Sequence, residues 1–407
     1  MIWSISWKNI WRNKLRSSVV IIAVTLGVFG GTISMSIMKS MSDKRLKSAI
    51  EIEVSHIQLH NELFMDNKEI QFTIDDAGSI IENIKKIPEV KGVSKRTKIL
   101  AMASTASNGT GVMVNGIFPD MEKEVSMLYE KVCDSCGTFF ETGKGLPIVI
   151  SKKLAEKLNV KIRSKIILTF QSDDGNLIGG AFRVAGIFKT DNSTWDELNV
   201  FVKSKDIIDL AGFNDNKIHE IAILLNDTED AEAVTQKIKS QFGHLNVMQW
   251  KEIQPELGMM NDMVDQMLYI FMLIILLALG FGIVNTMLMV ILERVRELGM
   301  LMAVGMNKLR LFNMIMLETI FLSLTGGVLG MIIGALFIEY FGEVGIDLSI
   351  VSEGLETFGY SAYIYPEIGL DYYIVLTIMV IFTGIIASIY PAVKALKLKP
   401  AEAIRAI

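Results

Sequence analysis

Apolar positions in this chain are gathered into four runs that carry almost no charge. Ser17 to Met38 is uncharged between Arg16 and Lys39, and its twenty-two residues suffice for a helix to cross a bilayer. Gln266 to Leu292 is the longest uncharged run; the third extends from Leu311 to Ile338 with one charge, Glu318; the fourth, Tyr372 to Val393, lies between Asp371 and Lys394. The pattern predicts an α-helical membrane protein with four transmembrane helices, at 17–39, 266–292, 311–338 and 372–393. A cleaved leader is the alternative for the first run, because Lys8, Arg12, Lys14 and Arg16 form a basic flank and Ser34-Met35-Ser36 imitates a cleavage site. The run is longer than the roughly 7–15 apolar residues a leader uses, which favours a span.

Between the first two spans, from about 40 to 265, shorter alternations predict a large α/β (α+β) domain. Helix starts are signalled by Asp75 or Asp76 before Ile80, Ile81, Ile84 and Ile87, by Ser151 before Leu154, Ala155 and Leu158, and near Asn226 or Asp227. Strands are predicted at Glu51 to Leu59, Gly111 to Ile117, Ile166 to Phe170, Phe182 to Phe188, Leu198 to Val202 and Ile221 to Leu225, with Asp174-Gly175 as a hairpin turn. Residues from about 105 to 200 read as a lobe inserted into the rest. Helical extensions of span one past Lys39 and of span two upstream through 254–265 would form a stalk. Before span one, Trp3, Trp7, Ile10 and Trp11 fall on one helical stripe and Lys8 and Arg12 on another, which predicts an interfacial amphipathic helix over 1–16.

A hydrophobic fraction of 51% excludes an ordinary soluble chain. The 40 basic residues are outnumbered by 45 acidic ones and form no extended basic tract, so no nucleic-acid partner is expected. Their placement tells more than their sum. Basic residues cluster before span one, in the 293–310 loop (Arg294, Arg296, Lys308, Arg310) and in the 394–407 tail (Lys394, Lys397, Lys399, Arg405), whereas the 339–371 connection has seven acidic residues and no Lys or Arg. Both termini and the 293–310 loop are therefore expected in the cytoplasm, with 40–265 and the short 339–371 loop outside. Small residues four apart, Gly27 and Gly31, Ala278 and Gly282, and Gly326, Gly330 and Gly334, suit close helix packing or a dimer interface.

Most catalytic chemistry is absent. No phosphate-cradling G-x-x-x-x-G-K-[ST] occurs; Thr142-Gly143-Lys144-Gly145 resembles only its end and reads as a loop. His56 and His60 lie on one predicted strand face, too far apart for an easy metal pair, and no metal site is expected. Cys133 and Cys136 are read as a structural disulfide rather than a redox centre, since no thioredoxin-like βαβ pattern surrounds them. Glu318 is open to two readings: a proton-relay carboxylate of an ion-coupled carrier, or, as favoured by its closeness to Arg310, a group at the headgroups or paired with a neighbouring helix.

Asn285-Thr286-Met287-Leu288-Met289 running into Glu293-Arg294-Val295-Arg296-Glu297-Leu298-Gly299-Met300-Leu301-Met302-Ala303-Val304-Gly305-Met306 resembles the E-R-x-x-E-[IL]-G-x-L-x-A-x-G signature of FtsX-like ABC transporter permeases. Tyr390-Pro391-Ala392-Val393-Lys394-Ala395, Pro400-Ala401-Glu402-Ala403-Ile404-Arg405 and Trp7-Lys8-Asn9-Ile10 are similar to that family's ends. Val114-Asn115-Gly116-Ile117-Phe118-Pro119 and Gln249-Trp250-Lys251-Glu252 look closer to its lipoprotein-releasing (Lol) permeases, with Gln249 in place of a small hydroxyl residue. MacB-type exporters, which carry a fused ATPase that is not seen in this chain, resemble it next, and FtsX itself has a smaller external domain.

The resemblance implies that 293–310 is a coupling loop docking on a separate ABC ATPase subunit that binds ATP and Mg, with no cofactor in this chain. Glu293, Arg294, Arg296 and Glu297 would supply its charges, Leu298, Met300, Leu301 and Val304 an apolar ridge, and Gly299 and Gly305 its room to turn. It also implies a second permease subunit, homo- or heterodimeric, a lipoprotein or other amphiphile as substrate, a periplasmic carrier, and a bacterial inner membrane. Spans one and two would line a lateral opening for acyl chains, with Met263, Met267 and Phe271 at the substrate cavity and Met259, Met260 and Met272 adding to an adaptable apolar surface or to core filling. A signalling scaffold like FtsX, or MacB-like export of a peptide, is the alternative function.

The predicted sidedness has a direct check. A cysteine introduced by Asn307→Cys should resist membrane-impermeant maleimide in intact spheroplasts and react after lysis. Strong labelling from outside would invert the topology.

Overall fold

The computed structural model describes residues 2–12, 14–141, 145–172, 174–212 and 217–397. The chain folds into two units, one of Met1–Ser42, Asp262–Asp347 and Tyr363–Ile407, the other of Asp43–Asn261 and Leu348–Ala362.

The first unit is helical. Among the described residues four helices are long and apolar enough to span a membrane: span one Lys14–Ser48, span two Pro255–Glu293, span three Lys308–Val344 and span four Leu370–Leu396. Such segments close every backbone hydrogen bond within themselves, as hydrocarbon requires. Their outer faces keep Leu26, Phe281, Leu336 and Phe382 exposed, while Val24, Val28, Met272, Leu322 and Val380 are buried between helices. Packing is closest where span three has no side chains. A Cβ at Gly326 would stand 2.8 Å from Ile21 O, and one at Gly330 2.7 Å from Thr25 O, so glycine alone permits the approach. Thr25 Oγ1 then donates to Gly326 O across the contact at 3.1 Å.

Among the described residues the second unit holds ten strands: β1 Ile57–His60, β2 Val90–Ser104, β3 Gly109–Ile117, β4 Val132–Gly137, β5 Leu146–Ser151, β6 Lys165–Gln171, β7 Leu177–Phe188, β8 Asn199–Lys203, β9 Glu220–Leu225 and β10 Asn246–Gln249. Their order is β10-β1-β9-β2-β3-β8-β5-β7-β4, with β6 pairing both β2 and β7, so β2, β3, β8, β5, β7 and β6 form a closed ring. Inside it lie Ile99, Ala101, Ala103, Val112, Val114, Leu168, Phe182 and Val200, while Leu100 and Met102 alternate outward. On the sheet at the other end of β2, helices Ala77–Ile84 and Ala231–Gln241 lay Ile80, Ile84, Val234 and Ile238 against Ile57, Leu59, Ile221 and Ile223.

Several local expectations change. The strand expected from Glu51 is, over Ala49–Val54, a π-helical continuation of span one's helix, ended by Ser55 at φ 63; extended pairing begins only at Ile57. Alternation of Ile50, Ile52 and Val54 imitates a strand, but Glu53 is committed to Arg45 eight residues earlier, at 2.8 Å. The helix expected near Asn226 starts after Asp230, because Asp227 Oδ1 takes the Glu229 N–H in a turn. Asp76 precedes its helix in the left-handed region and accepts from Ser79 Oγ instead of a backbone amide, whereas Ser151 caps its helix through the Leu154 N–H. β6 and β7 pair as an antiparallel hairpin, and Gly175 at φ 80 lies in the turn.

The 339–371 connection is more than a short loop. Residues 348–362 fold with the second unit: Glu356 pairs with Lys189 at 2.7 Å, Lys44 Nζ donates to Ser361 Oγ at 2.9 Å, and Thr194 Oγ1 to Thr357 O at 3.2 Å. Gly359, at φ 80, lies so close to Arg45 that a Cβ would meet its Nε at 2.3 Å.

A buried charge network fastens β1, β2 and β9. Arg96 pairs with Glu122 at 2.6 Å and Glu220 at 2.7 Å, and Lys98 reaches the other Glu220 oxygen. His60 Nδ1 meets His219 O at 3.0 Å and Nε2 meets Gln58 Oε1 at 2.9 Å. Burial lowers the His60 pKa to about 4 despite the attraction of Glu220. Burial raises the Glu220 pKa, but Lys98, Arg96 and His60 outweigh it and hold the carboxyl at about 2.

A histidine with an ordinary pKa of 6.5 and a folded value of about 4 binds its proton more readily when unfolded. Its contribution to stability is therefore complete above 6.5 and shrinks as pH falls toward 4. Asp196, raised to about 6 mainly by burial, acts in the opposite sense, so the informative comparison is between variants. In urea titrations between pH 7 and 4.5, His60→Gln should remove up to about 1.4 kcal/mol per pH unit of the acid-side slope of the external unit. An identical slope in wild type and variant would contradict this assignment.

Candidate functional site

The 293–310 loop is built by two short breaks around a helix. Span two ends at Glu293; Arg294 leaves helical geometry at φ −100, ψ 13; the helix Val295–Ala303 follows. Gly305, at φ 100, closes it, with Met306 N–H donating to Leu301 O and Gly305 N–H to Met302 O, a left-handed ending that glycine permits most readily. Asn307 then caps span three by accepting from the Leu309 N–H at 3.2 Å.

This geometry sorts the residues expected to meet a partner. Leu298 is 2% exposed, Gly299 is buried and Leu301 packs on the helical core, whereas Met300 is 50% and Val304 90% exposed. The expected four-residue ridge is thus divided between inside and outside, as the turn of one short helix requires. Arg296 and Glu293 are exposed. Arg294 and Glu297, expected to face outward, are engaged within the unit: Arg294 Nε holds Glu297 Oε2 at 3.1 Å, three residues apart on one helical face, and Glu297 also pairs with Arg12. Burial raises the Glu297 carboxyl, but hydrogen bonds and charge from Arg294 and Arg12 outweigh it and hold it below the usual carboxylate range. Glu318, in span three, meets Arg294 Nη1 at 2.9 and 3.2 Å, which makes it an ion-pair partner.

Helix Ile2–Arg12 lies against span three. Ile10 and Ser6 are buried, Ser6 Oγ donates to Met314 O, and Trp3 and Trp7 meet Phe321 edge-on. The tryptophans remain exposed at their other edges, so the predicted stripe is shared between span three and the outside.

A groove of about 540 Å³ opens between spans one and two. Gly27, Gly30, Gly31, Ala278 and Gly282 line it with Phe271 and Ile275; Gly27 and Gly31 are covered by Leu279 and Ile275 of span two, whereas a Cβ at Gly30 or Gly282 would meet nothing within 4 Å. Of the three expected cavity residues only Phe271 is at this groove. Met263 and Met267 are exposed on the preceding turns of the same helix, before the groove begins at Phe271, and Met272 is core. Their sequence spacing put them near one another without saying at which turn the groove begins.

Cys133 and Cys136 are joined by a disulfide in β4. His56 is held by Thr228 and the Leu225 N–H, and among the described residues no three His, Cys, Asp or Glu side chains form a metal group. Residues 142–144 and the Pro400 to Arg405 motif lie outside the described residues. One site had no sequence signal: a cavity of about 680 Å³ in the second unit, beside the buried Arg45–Glu53 pair and lined by Trp195, Gln254, Met260 and Tyr360. The eight-residue spacing of Arg45 and Glu53 would have pointed to it only if the π-helical continuation had been foreseen.

The model of the MacB-like periplasmic core domain matches residues 17–241, and that of the FtsX-like permease C-terminal region matches 269–400. The chain is 23% identical over 394 residues to the lipoprotein-releasing system transmembrane protein LolC of Buchnera aphidicola, covering 94% of this chain and 91% of LolC. It is 25% identical over 420 residues to the ABC transporter permease YknZ of Bacillus subtilis, covering 97% and 96%. A solved structure of the extracellular domain of YknZ aligns with 47% of this chain and 98% of that domain, at 19% identity and a TM-score of 0.33.

Proposed function

This chain belongs to the FtsX- and MacB-type family of ABC transporter permeases, and from that membership we propose that it converts ATP hydrolysis by a separate ATPase subunit into movement of its external unit, releasing lipoproteins from the bacterial inner membrane to a periplasmic carrier. The groove between spans one and two carries this reading. Its walls are mainly glycine, alanine and aliphatic side chains with Phe271, and of the two hydroxyls that border it, Ser34 and Thr286, the latter is held by its own helix through Gly282 O, so an acyl chain entering from the bilayer meets chiefly methylene and backbone surface. Full-length similarity to LolC supports the same substrate class. In this reading both termini and the 293–310 loop face the cytoplasm, a sidedness supported by their basic residues, with ATP and Mg bound by the ATPase and a second permease copy or paralogue completing the transporter.

The outward side of the coupling helix is the docking surface in this reading. Val304, Met300 and Arg296 are exposed and make no part of the helical core, so they are free to enter a groove on the ATPase. Val304→Glu should abolish copurification of the ATPase while leaving the permease in the membrane at wild-type level, because a carboxylate is driven into an apolar contact without disturbing the unit's own packing. Unchanged copurification and ATP hydrolysis would remove the docking assignment.

Substrate class has its own test. Each acyl methylene buried contributes about 0.8 kcal/mol, so affinity should follow chain number and length far more than polypeptide sequence. A photo-crosslinker at Phe271 should capture triacylated lipoprotein and lose it when ATP and carrier are supplied, whereas one at Met267, off the groove, should capture bulk lipid. Phe271→Arg should block release with the ATPase still bound, since its cation faces hydrocarbon. Capture of bilayer lipid alone at Phe271, with lipoprotein traffic normal in a deletion strain, would transfer the proposal to export of another amphiphile or to a signalling scaffold.

A further inference from the structure

The cytoplasmic ends of three helical elements are joined by four alternating charges. Arg12, from the amphipathic helix Ile2–Arg12, pairs with Glu297 of the coupling helix; Glu297 pairs with Arg294, at the break between span two and that helix; Arg294 pairs with Glu318 of span three. The Arg294 guanidinium divides its donors, Nε to Glu297 Oε2 at 3.1 Å and Nη1 to both Glu318 oxygens at 2.9 and 3.2 Å. Side-chain exposure is 17% for Arg294 and 7% for Glu318, so neither can trade its partner for bulk water without moving. A cavity of about 110 Å³ adjoins the group and is bordered by all four, together with Asn9 and Ser17.

We infer that this relay is a strut: Glu318 and Arg294 are positioning residues that lock the break after span two, so that a push on the coupling helix displaces span three instead of bending the chain at Arg294. The inference rests on the coupling-loop reading of the proposed function. Its physical basis is the position of Arg294. Its backbone is a one-residue interruption between two helices, the place where a force on the second helix would otherwise be absorbed by a change of φ and ψ. The forked guanidinium ties that residue to the coupling helix through Glu297 and to span three through Glu318, and rotation at the break would separate a desolvated carboxylate from its cation. Lysine, a single ammonium, cannot divide itself in this way. Arg12 extends the tie to the amphipathic helix, which is packed on span three through Ile10 and Ser6.

The test uses the full permease–ATPase complex in nanodiscs, in a Cys133→Ser, Cys136→Ser background, with spin labels on one permease copy at Tyr269 of span two and Tyr340 of span three, both exposed. ATP with vanadate should shift the label distance in this background. Glu318→Gln should accumulate normally, copurify with the ATPase and lose the shift, and ATP hydrolysis should lose its dependence on added triacylated lipopeptide by roughly tenfold, within the usual range of site-to-site coupling. The exchange Arg294→Glu with Glu318→Arg should recover a substantial part of the shift, where Arg294→Glu alone recovers none. A wild-type shift in Glu318→Gln, a double exchange no better than either single change, or loss of Glu318→Gln from the membrane would each overturn the strut, the last by making the pair an anchor for folding. Failure of the coupling-loop reading would appear separately, as an ATPase that still copurifies with Val304→Glu.

Discussion

A charge removed from water must find its counter-charge within the protein, and both units are arranged around that requirement. In the helical unit the carboxylate of Glu318, in a span otherwise apolar, fixes where Arg294 must lie and so where span two stops and the coupling helix begins. In the external unit Arg96 is clasped by Glu122 and Glu220, while Lys98 takes the second Glu220 oxygen, so β2 and β9 are fastened by charge as well as by their ladder. Arg45 and Glu53 hold the π-helical turn that redirects the chain into β1. Such pairs add little net stability over an apolar core, but removing one partner costs about 3–5 kcal/mol. Their effect is to make alternative arrangements expensive.

Small residues do two opposite things in the spans. On span three, Gly326, Gly330 and Gly334 bring backbone against Val24, Val28 and Thr32 of span one, leaving no space. Between spans one and two, Gly30 and Gly282 face nothing within 4 Å, and the missing side chains become a groove. Spacing does not decide between them: on span one the four-apart pair Gly27 and Gly31 is covered by Leu279 and Ile275, while Gly30 is open. The difference lies in the opposing helix, which presents β-branched side chains at the first contact and leaves the second facing open volume.

Those two outcomes explain how far the sequence could be read. Four spans and an α/β insert are legible because length, charge and alternation are strict rules near lipid and in half-buried strands. The helix capped by Ser151 is legible for a similarly local reason. β2 is not: its first half reads Val-Lys-Gly-Val-Ser-Lys-Arg-Thr, with Ser94, Arg96 and Thr97 buried, so the polar residues that would mark an outer face are turned inward and satisfied there. The coupling loop was legible as a motif, but the motif does not reveal that Glu297 and Arg294 satisfy one another and Glu318. That knowledge needs the fold of span three onto the loop, a contact between residues 24 apart for Arg294 and Glu318. Likewise the seven acidic residues between spans three and four carry an expectation of sidedness and no sign that Glu356 meets Lys189.

β2 also settles how the external unit can respond to force. Its early residues pair with β9, its last three with β6, and from Arg96 to Ser104 it pairs with β3 throughout. The open sheet and the closed ring therefore share one strand of fifteen residues, and no flexible linker separates them along that strand. Bending one against the other would break ladder hydrogen bonds of β2 and expose the backbone groups of a buried strand, whereas β1 and β10, at the opposite end of the sheet order, can be displaced without opening the ring. The ring and β9, which is laddered to β2, are thus expected to move as one body. The irregularity that β2 does contain, the register shift between Val90 and Gly92, lies outside the ring, where Gly92 passes within 2.4 Å of Glu124 O as measured from the position of its absent Cβ. Compliance is placed at the start of the strand, and rigidity where the sheet and the ring are joined.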